Sequence, residues 1–145
     1  MSEELAHPPR DLREHLANLE KLGLLKHVDV EVDKNWELSC VVRQIYLHLP
    51  EHRRYAIMFD RVKDHSIPVV VGVLGASRRV YAAGLGTSSK KILDRWVKAL
   101  SNPIRPVVAK DGPVKENILT GDQVDLNRLP VPIWTPGKDV GPYLT

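Results

Sequence analysis

From Asp11 onward, leucines recur at three- and four-residue steps: Leu12, Leu16, Leu19 and Leu22. That spacing places them on one face of a helix. Asp11, with Glu14 three residues on, makes a capping-box-like start, and Gly23 is placed to end the helix in a left-handed conformation. The period then shortens. In LLKHVDVEV, Val28, Val30 and Val32 alternate with Asp29 and Glu31, the pattern of a half-buried strand. Asp33 or Asn35 can cap a second helix. In it Leu38, Val41, Val42, Ile45 and Leu49 keep the helical period until Pro50 stops it.

Two short apolar runs follow, residues 55–60 (YAIMFD) and IPVVVGVLG, separated by the turn-rich RVKDHS. Both read as buried strands, and in the second the β-branched valines favour strand over helix. Ser77 to Leu85 predicts a short helix between Gly75 and Gly86. Thr87 or Ser88 then caps SSKKILDRWVKAL, whose apolar face is Ile92, Leu93, Trp96, Val97 and Leu100, and Asn102-Pro103 ends it. The order helix–strand–helix–strand–strand–helix–helix predicts a small α/β or α+β domain over residues 1–110.

Beyond it the periods fail. Seven of the eleven prolines lie after residue 100, at 103, 106, 113, 130, 132, 136 and 142. Residues 111–145 are therefore expected to lie extended on a partner surface, because they cannot build a core of their own. The terminal GPYLT reads as an incoming strand in need of a partner for its backbone groups. This pattern is expected of the front part of a longer protein.

Composition narrows the classes. With 145 residues, 43% hydrophobic and 27% charged, the chain can form a core, so disorder is excluded as the main state. The longest apolar run, Ile67 to Ala76, contains a proline and two glycines and reaches only about half of a membrane span. The start, MSEELAHPPR, is acidic and lacks the apolar region of a secretory signal. A single cysteine, Cys40, excludes an internal disulfide framework and a multi-cysteine zinc site, and a reducing, cytoplasmic location fits. The net charge is +3, and the pairs Arg53-Arg54, Arg78-Arg79 and Lys90-Lys91 are scattered among acids. No basic stripe for nucleic acid results.

Candidate chemistry is sparse. His48 and His52 are four apart, but Pro50 and the missing Glu break the zincin pattern. Ser77 lacks the second Gly of a nucleophile elbow and is followed by Arg78-Arg79. Gly84-Leu85-Gly86-Thr87 is either a phosphate-cradling nest or, the favoured reading, a helix end followed by the next cap. Cys40, beside the apolar Val41 and Val42, reads as a buried inert thiol. Asp122 and Asp125 lack the spacing of a calcium loop and suit turns. No convincing catalytic constellation emerges from the residues themselves.

One stretch is more specific. Residues 112–145, GPVKENILTGDQVDLNRLPVPIWTPGKDVGPYLT, resemble the UbiD family of prenylated-FMN-dependent decarboxylases. Gly112-Pro113, Lys115-Glu116, Thr120-Gly121, Asp125-Leu126 and Leu129-Pro130-Val131-Pro132 fall at the family's positions. Earlier segments agree: Asp11-Leu12-Arg13, Gly23-Leu24-Leu25, Val30-Glu31-Val32-Asp33, Phe59-Asp60-Arg61-Val62-Lys63 (with Asp64 where the family usually has Gly) and Gly75-Ala76-Ser77-Arg78-Arg79-Val80.

The resemblance implies an oligomeric carboxy-lyase acting reversibly on an aromatic, heteroaromatic or α,β-unsaturated acid. Prenylated FMN, Mn²⁺ and K⁺ are the implied cofactors. Residues 1–110 would be the N-terminal α/β domain, and 111–145 the lead-in to a flavin-reductase-like split β-barrel. The family's metal-binding and proton-handling residues fall after position 145, so no catalytic or metal-binding residue is assigned here. Thr145 alone matches a residue at the lip of the cofactor pocket. The expected partner is the remainder of the enzyme or a complementary subunit, and this piece alone is expected to be inactive. The alternative is a non-catalytic interaction module that uses Leu129–Trp134 to hold a partner.

Overall fold

A computed structural model describes residues 7–135 and 137–139. The first helix, α1, spans Leu12–Lys21, and the Asp11 carboxylate accepts the Glu14 N–H at its start. Glu14 reaches back one residue further than a standard capping box, accepting the N–H of Arg10 at 2.7 Å. That bond first, and the Arg10 guanidinium second, hold the Glu14 carboxyl below the usual range. Gly23 has φ 66°, as its position after the helix predicts. The buried face differs from the leucine stripe. Leu19 is fully buried, but Leu12 is exposed, and His15 and Asn18 take the inner positions. The His15 ring lies 2.6 Å from the Val73 carbonyl through Nε2.

Three strands form one sheet: β1 (Leu25–Val28), β2 (Ala56–Phe59) and β3 (Val69–Val71), in that spatial order. β1 and β2 are parallel, Leu25 opposite Ala56, while β2 and β3 are antiparallel, Ile57 opposite Val71. The crossover between the parallel pair contains α2, Glu37–His48. The long alternation expected through Val32 is cut short: the ladder stops at Val28, Val30 is 63% exposed, and Val32 returns as an isolated parallel bridge to Val62. Nor does Asp33 or Asn35 cap α2. Asp33 accepts the Asn35 N–H one turn early, and the helix starts after Trp36 with no side-chain cap.

The central strand is buried on both faces, so its alternating residues serve two cores. Ala56 and Met58 join Leu19, Leu24, Leu25, Val80 and Ala83, on the side of α1 and of α3 (Arg78–Gly84). Ile57 and Phe59 join Val32, Leu38, Val42 and Val62, on the side of α2. Phe59, Leu19, Leu38, Ile57 and Val80 are essentially inaccessible, and burying a side chain of this size contributes about 1.5–3 kcal/mol. Tyr46, on α2, packs against both clusters.

β3 is shorter than IPVVVGVLG suggests because the chain turns at Gly72, φ 80°. A Cβ there would sit 1.8 Å from the Tyr46 hydroxyl. The last helix, α4 (Ile92–Ser101), is preceded by a 3₁₀ turn at Ser89–Lys91, and Ser88 makes no side-chain cap to that turn. From Pro103 to Leu129 every residue except Gly112 is exposed, with 3₁₀ turns at Pro113–Lys115, Gly121–Gln123 and Leu126–Arg128. The segment then returns to the body: Pro130 and Val131 are buried, and the Ile133 N–H donates to the Lys34 carbonyl.

Candidate functional site

The residues that resemble catalytic groups have structural work instead. Ser77 is 6% exposed, and its hydroxyl oxygen accepts the Val80 N–H as the cap of α3. A nucleophile needs an exposed oxygen and a base, and Ser77 offers a buried cap. The Gly84–Thr87 stretch is a helix end: the Gly86 N–H donates to Ala83, and the Thr87 N–H to Ala82. The backbone of His7-Pro8 lies against Gly86, 2.3 Å from where a Cβ would stand, and Gly86 has φ 59°. The amides of a phosphate nest are thus already used and covered.

His48 and His52 are both exposed, and no group of three His, Cys, Asp or Glu side chains suited to a metal exists among the described residues. Asp125 accepts the N–H of Asn127 at 2.9 Å, the turn role expected of it. Cys40 is a free thiol, only half-buried rather than buried as expected. Thr145 lies outside the described residues.

What the structure does present is apolar surface. On α4, Leu93, Trp96, Val97 and Leu100 are 72%, 44%, 55% and 74% exposed, and no α4 residue is buried. The predicted apolar face exists, but nothing described covers it. Beyond α4, Ile104, Val107 and Val108 are each more than 90% exposed. Large apolar side chains exposed together along one helix face mark an interaction surface. Trp96 is oriented by its indole N–H, which donates to the Tyr81 hydroxyl at 3.0 Å.

Two open clefts occur, the first of them beside α4. One, of about 270 Å³, lies between Pro8, Gly84, Leu85, Arg95, Trp96 and Ala99. The other, of about 380 Å³, lies between Val42, Arg43, Tyr46, Leu47, Val71 and Trp134. Trp134, in the returning segment, thus shares the walls of a cleft with α2 and β3. Its N–H and that of Thr135 both donate to the Asp139 carboxylate, at 2.7 and 2.9 Å. Tyr46 has a phenol pushed above its ordinary value by burial, with Arg54 opposing. Each cleft has apolar walls and one arginine, with no paired acid and base.

Comparison with known families decides the identity of this arrangement. The model of the 3-octaprenyl-4-hydroxybenzoate carboxy-lyase N-terminal domain matches residues 16–100, more than half of the chain. The chain belongs to the UbiD family. HmfF, a UbiD-class enzyme from Pelotomaculum thermopropionicum solved in complex with FMN, is 36% identical with a TM-score of 0.75, over 92% of this chain and 29% of that one. An evolved dimeric form of HmfF, solved with prFMN, is 37% identical with a TM-score of 0.76, over 92% of this chain and 30% of the other. The 3,4-dihydroxybenzoic acid decarboxylase of Enterobacter cloacae, solved in its apo form, is 33% identical with a TM-score of 0.75, over 90% of this chain and 29% of its own.

This UbiD-family chain therefore spans under a third of the length of these solved relatives. Its α+β fold is that of the family's N-terminal domain. The described residues do not fit a flavin or its metal. The Gly84–Thr87 amides are consumed, the clefts hold one cation each, and no cluster of three metal-ligating side chains occurs among them.

Proposed function

We propose that this chain acts as the N-terminal domain of a UbiD-class carboxy-lyase. The reaction is the reversible, non-oxidative decarboxylation of an aromatic, heteroaromatic or α,β-unsaturated acid, with prenylated FMN, Mn²⁺ and K⁺ held by the remainder of the enzyme. Residues 1–110 form the domain, and 111–145 lead into a split β-barrel. The observation that carries this reading is a UbiD-family fold whose fourth helix turns an uncovered apolar face outward. Such a face suits a docking surface, and charge stabilisation at a reacting carboxylate needs preorganised donors that these clefts lack.

On this reading the 145 residues alone turn over nothing. The chemistry resides in a further segment, on the same polypeptide or on a complementary subunit, within a cytoplasmic homo-oligomer. Among the described residues, no helix is long and apolar enough to cross a membrane. The test is the intact mass of every polypeptide in a native preparation, with the flavin absorbance of the same sample. Flavin accompanying a longer or a second polypeptide is expected. A preparation that contains the 145-residue species alone and carries stoichiometric flavin would overturn the proposal. Absence of both flavin and a partner would instead favour a non-catalytic interaction module, for which the same apolar face speaks.

A further inference from the structure

His27 stands between two carboxylates that come from different parts of the fold. Its Nε2 is 2.9 Å from a Glu20 oxygen in the last turn of α1. Its Nδ1 is 3.0 Å from both oxygens of Asp60, the residue after β2. A neutral imidazole has one N–H and one lone pair. It would donate to one carboxylate and set its lone pair against the other. Only the imidazolium, with two N–H donors, satisfies both contacts.

We propose that Glu20, His27 and Asp60 form a pH-sensitive clasp, closed by protonation of His27, that fastens the end of α1 to the β1–β2 edge of the sheet. The inference does not depend on the decarboxylase reading. β1 is an edge strand, and the clasp spans the Leu22–Gly23 turn that joins α1 to it. Opening the clasp removes its two side-chain ties from that junction, while the Gly23 N–H bond to the Glu20 carbonyl and the Leu24 N–H bond to the Leu19 carbonyl remain.

The charged groups acting on the ring are those two carboxylates. The hydrogen bond to Asp60 first, and that to Glu20 second, raise the His27 pKa against desolvation. A raised folded-state pKa fixes the sign. The stabilisation is complete below the unfolded-state value of about 6.5 and is lost as pH rises through the folded-state pKa. The side chains of His27, Glu20 and Asp60 are 43%, 53% and 36% exposed, so the effect is modest and weakens with salt.

The test is an NMR titration of the histidine rings in the 145-residue chain, with His27 identified by its loss in His27→Gln. The His27 midpoint is expected above about 6.5, falling toward that value in Glu20→Gln and in Asp60→Asn. The thermal midpoint of the wild type should exceed that of His27→Gln at about pH 6 and converge on it by about pH 9. A His27 midpoint at or below the ordinary value and unmoved by either carboxamide would overturn the clasp. So would a wild-type advantage independent of pH. Glu20→Gln and Asp60→Asn alter exposed side chains and retain His27, so the titration remains decisive if His27→Gln folds poorly.

Discussion

Tyr46 carries its ring between the two cores and places its hydroxyl, unpartnered among the described residues, against the backbone of Gly72. A buried hydroxyl without a partner costs roughly 1–3 kcal/mol, so Tyr46→Phe is expected to be neutral or mildly stabilising. Gly72→Ala meets two penalties, a left-handed φ and a methyl group driven into the phenol, and is expected to cost more than about 2 kcal/mol. Chemical denaturation of the four members of this cycle measures the coupling. Gly72→Ala should be less damaging in the Tyr46→Phe background by at least about 0.5 kcal/mol, and strict additivity would show that the hydroxyl is not the obstacle. The cap Asp11 was legible from local sequence, since it serves a residue within one turn, whereas Ser77, read as the first residue of its helix, is the cap before it. The Tyr46–Gly72 contact and the His27 clasp were not legible, because residues far apart in sequence create them. Asp64 falls between these cases. The family resemblance marks a position usually held by Gly, and the structure supplies the reason in its φ of 62°. Asp adopts that conformation more readily than most side chains.

The elements divide by what their patterns encode. Helical periodicity located α1, α2 and α4, flanking glycines bounded α3, and the short apolar runs located β2 and β3. Alternation overextended β1, because Val28, Val30 and Val32 keep period two while the ladder partner ends at Phe59. Periodicity also names an apolar face without saying what covers it, and α4 shows the difference. Its face was predicted residue by residue, yet Leu93 and Leu100 are largely exposed. Replacing both by Ser should therefore change the stability of the 145-residue chain by less than about 0.5 kcal/mol each. Binding of a hydrophobic dye should fall in the same variant. By contrast, Leu19→Ala, at a fully buried position, should cost about 2–5 kcal/mol. A core-sized loss from the α4 double substitution, measured by thermal melting, would show that the face is already covered in solution.

At the scale of the molecule, a two-sided core around one central strand holds a domain that exposes an apolar face on α4 and whose two described clefts lack paired catalytic groups. The family was legible from motifs spread over most of the chain, and the match to residues 16–100 agrees. The site was not legible, for a physical reason: the side chains described here cap helices, fill cores and tie turns, so their spacing encodes folding. The most direct measurement supplies the purified 145-residue chain with prenylated FMN, Mn²⁺ and K⁺, removes free flavin by desalting, and follows CO₂ release from a panel of aromatic and α,β-unsaturated acids. The account predicts that no flavin is retained and that no CO₂ appears above the protein-free control. Retained flavin with multiple turnovers would contradict it, and would place a complete active site within these residues.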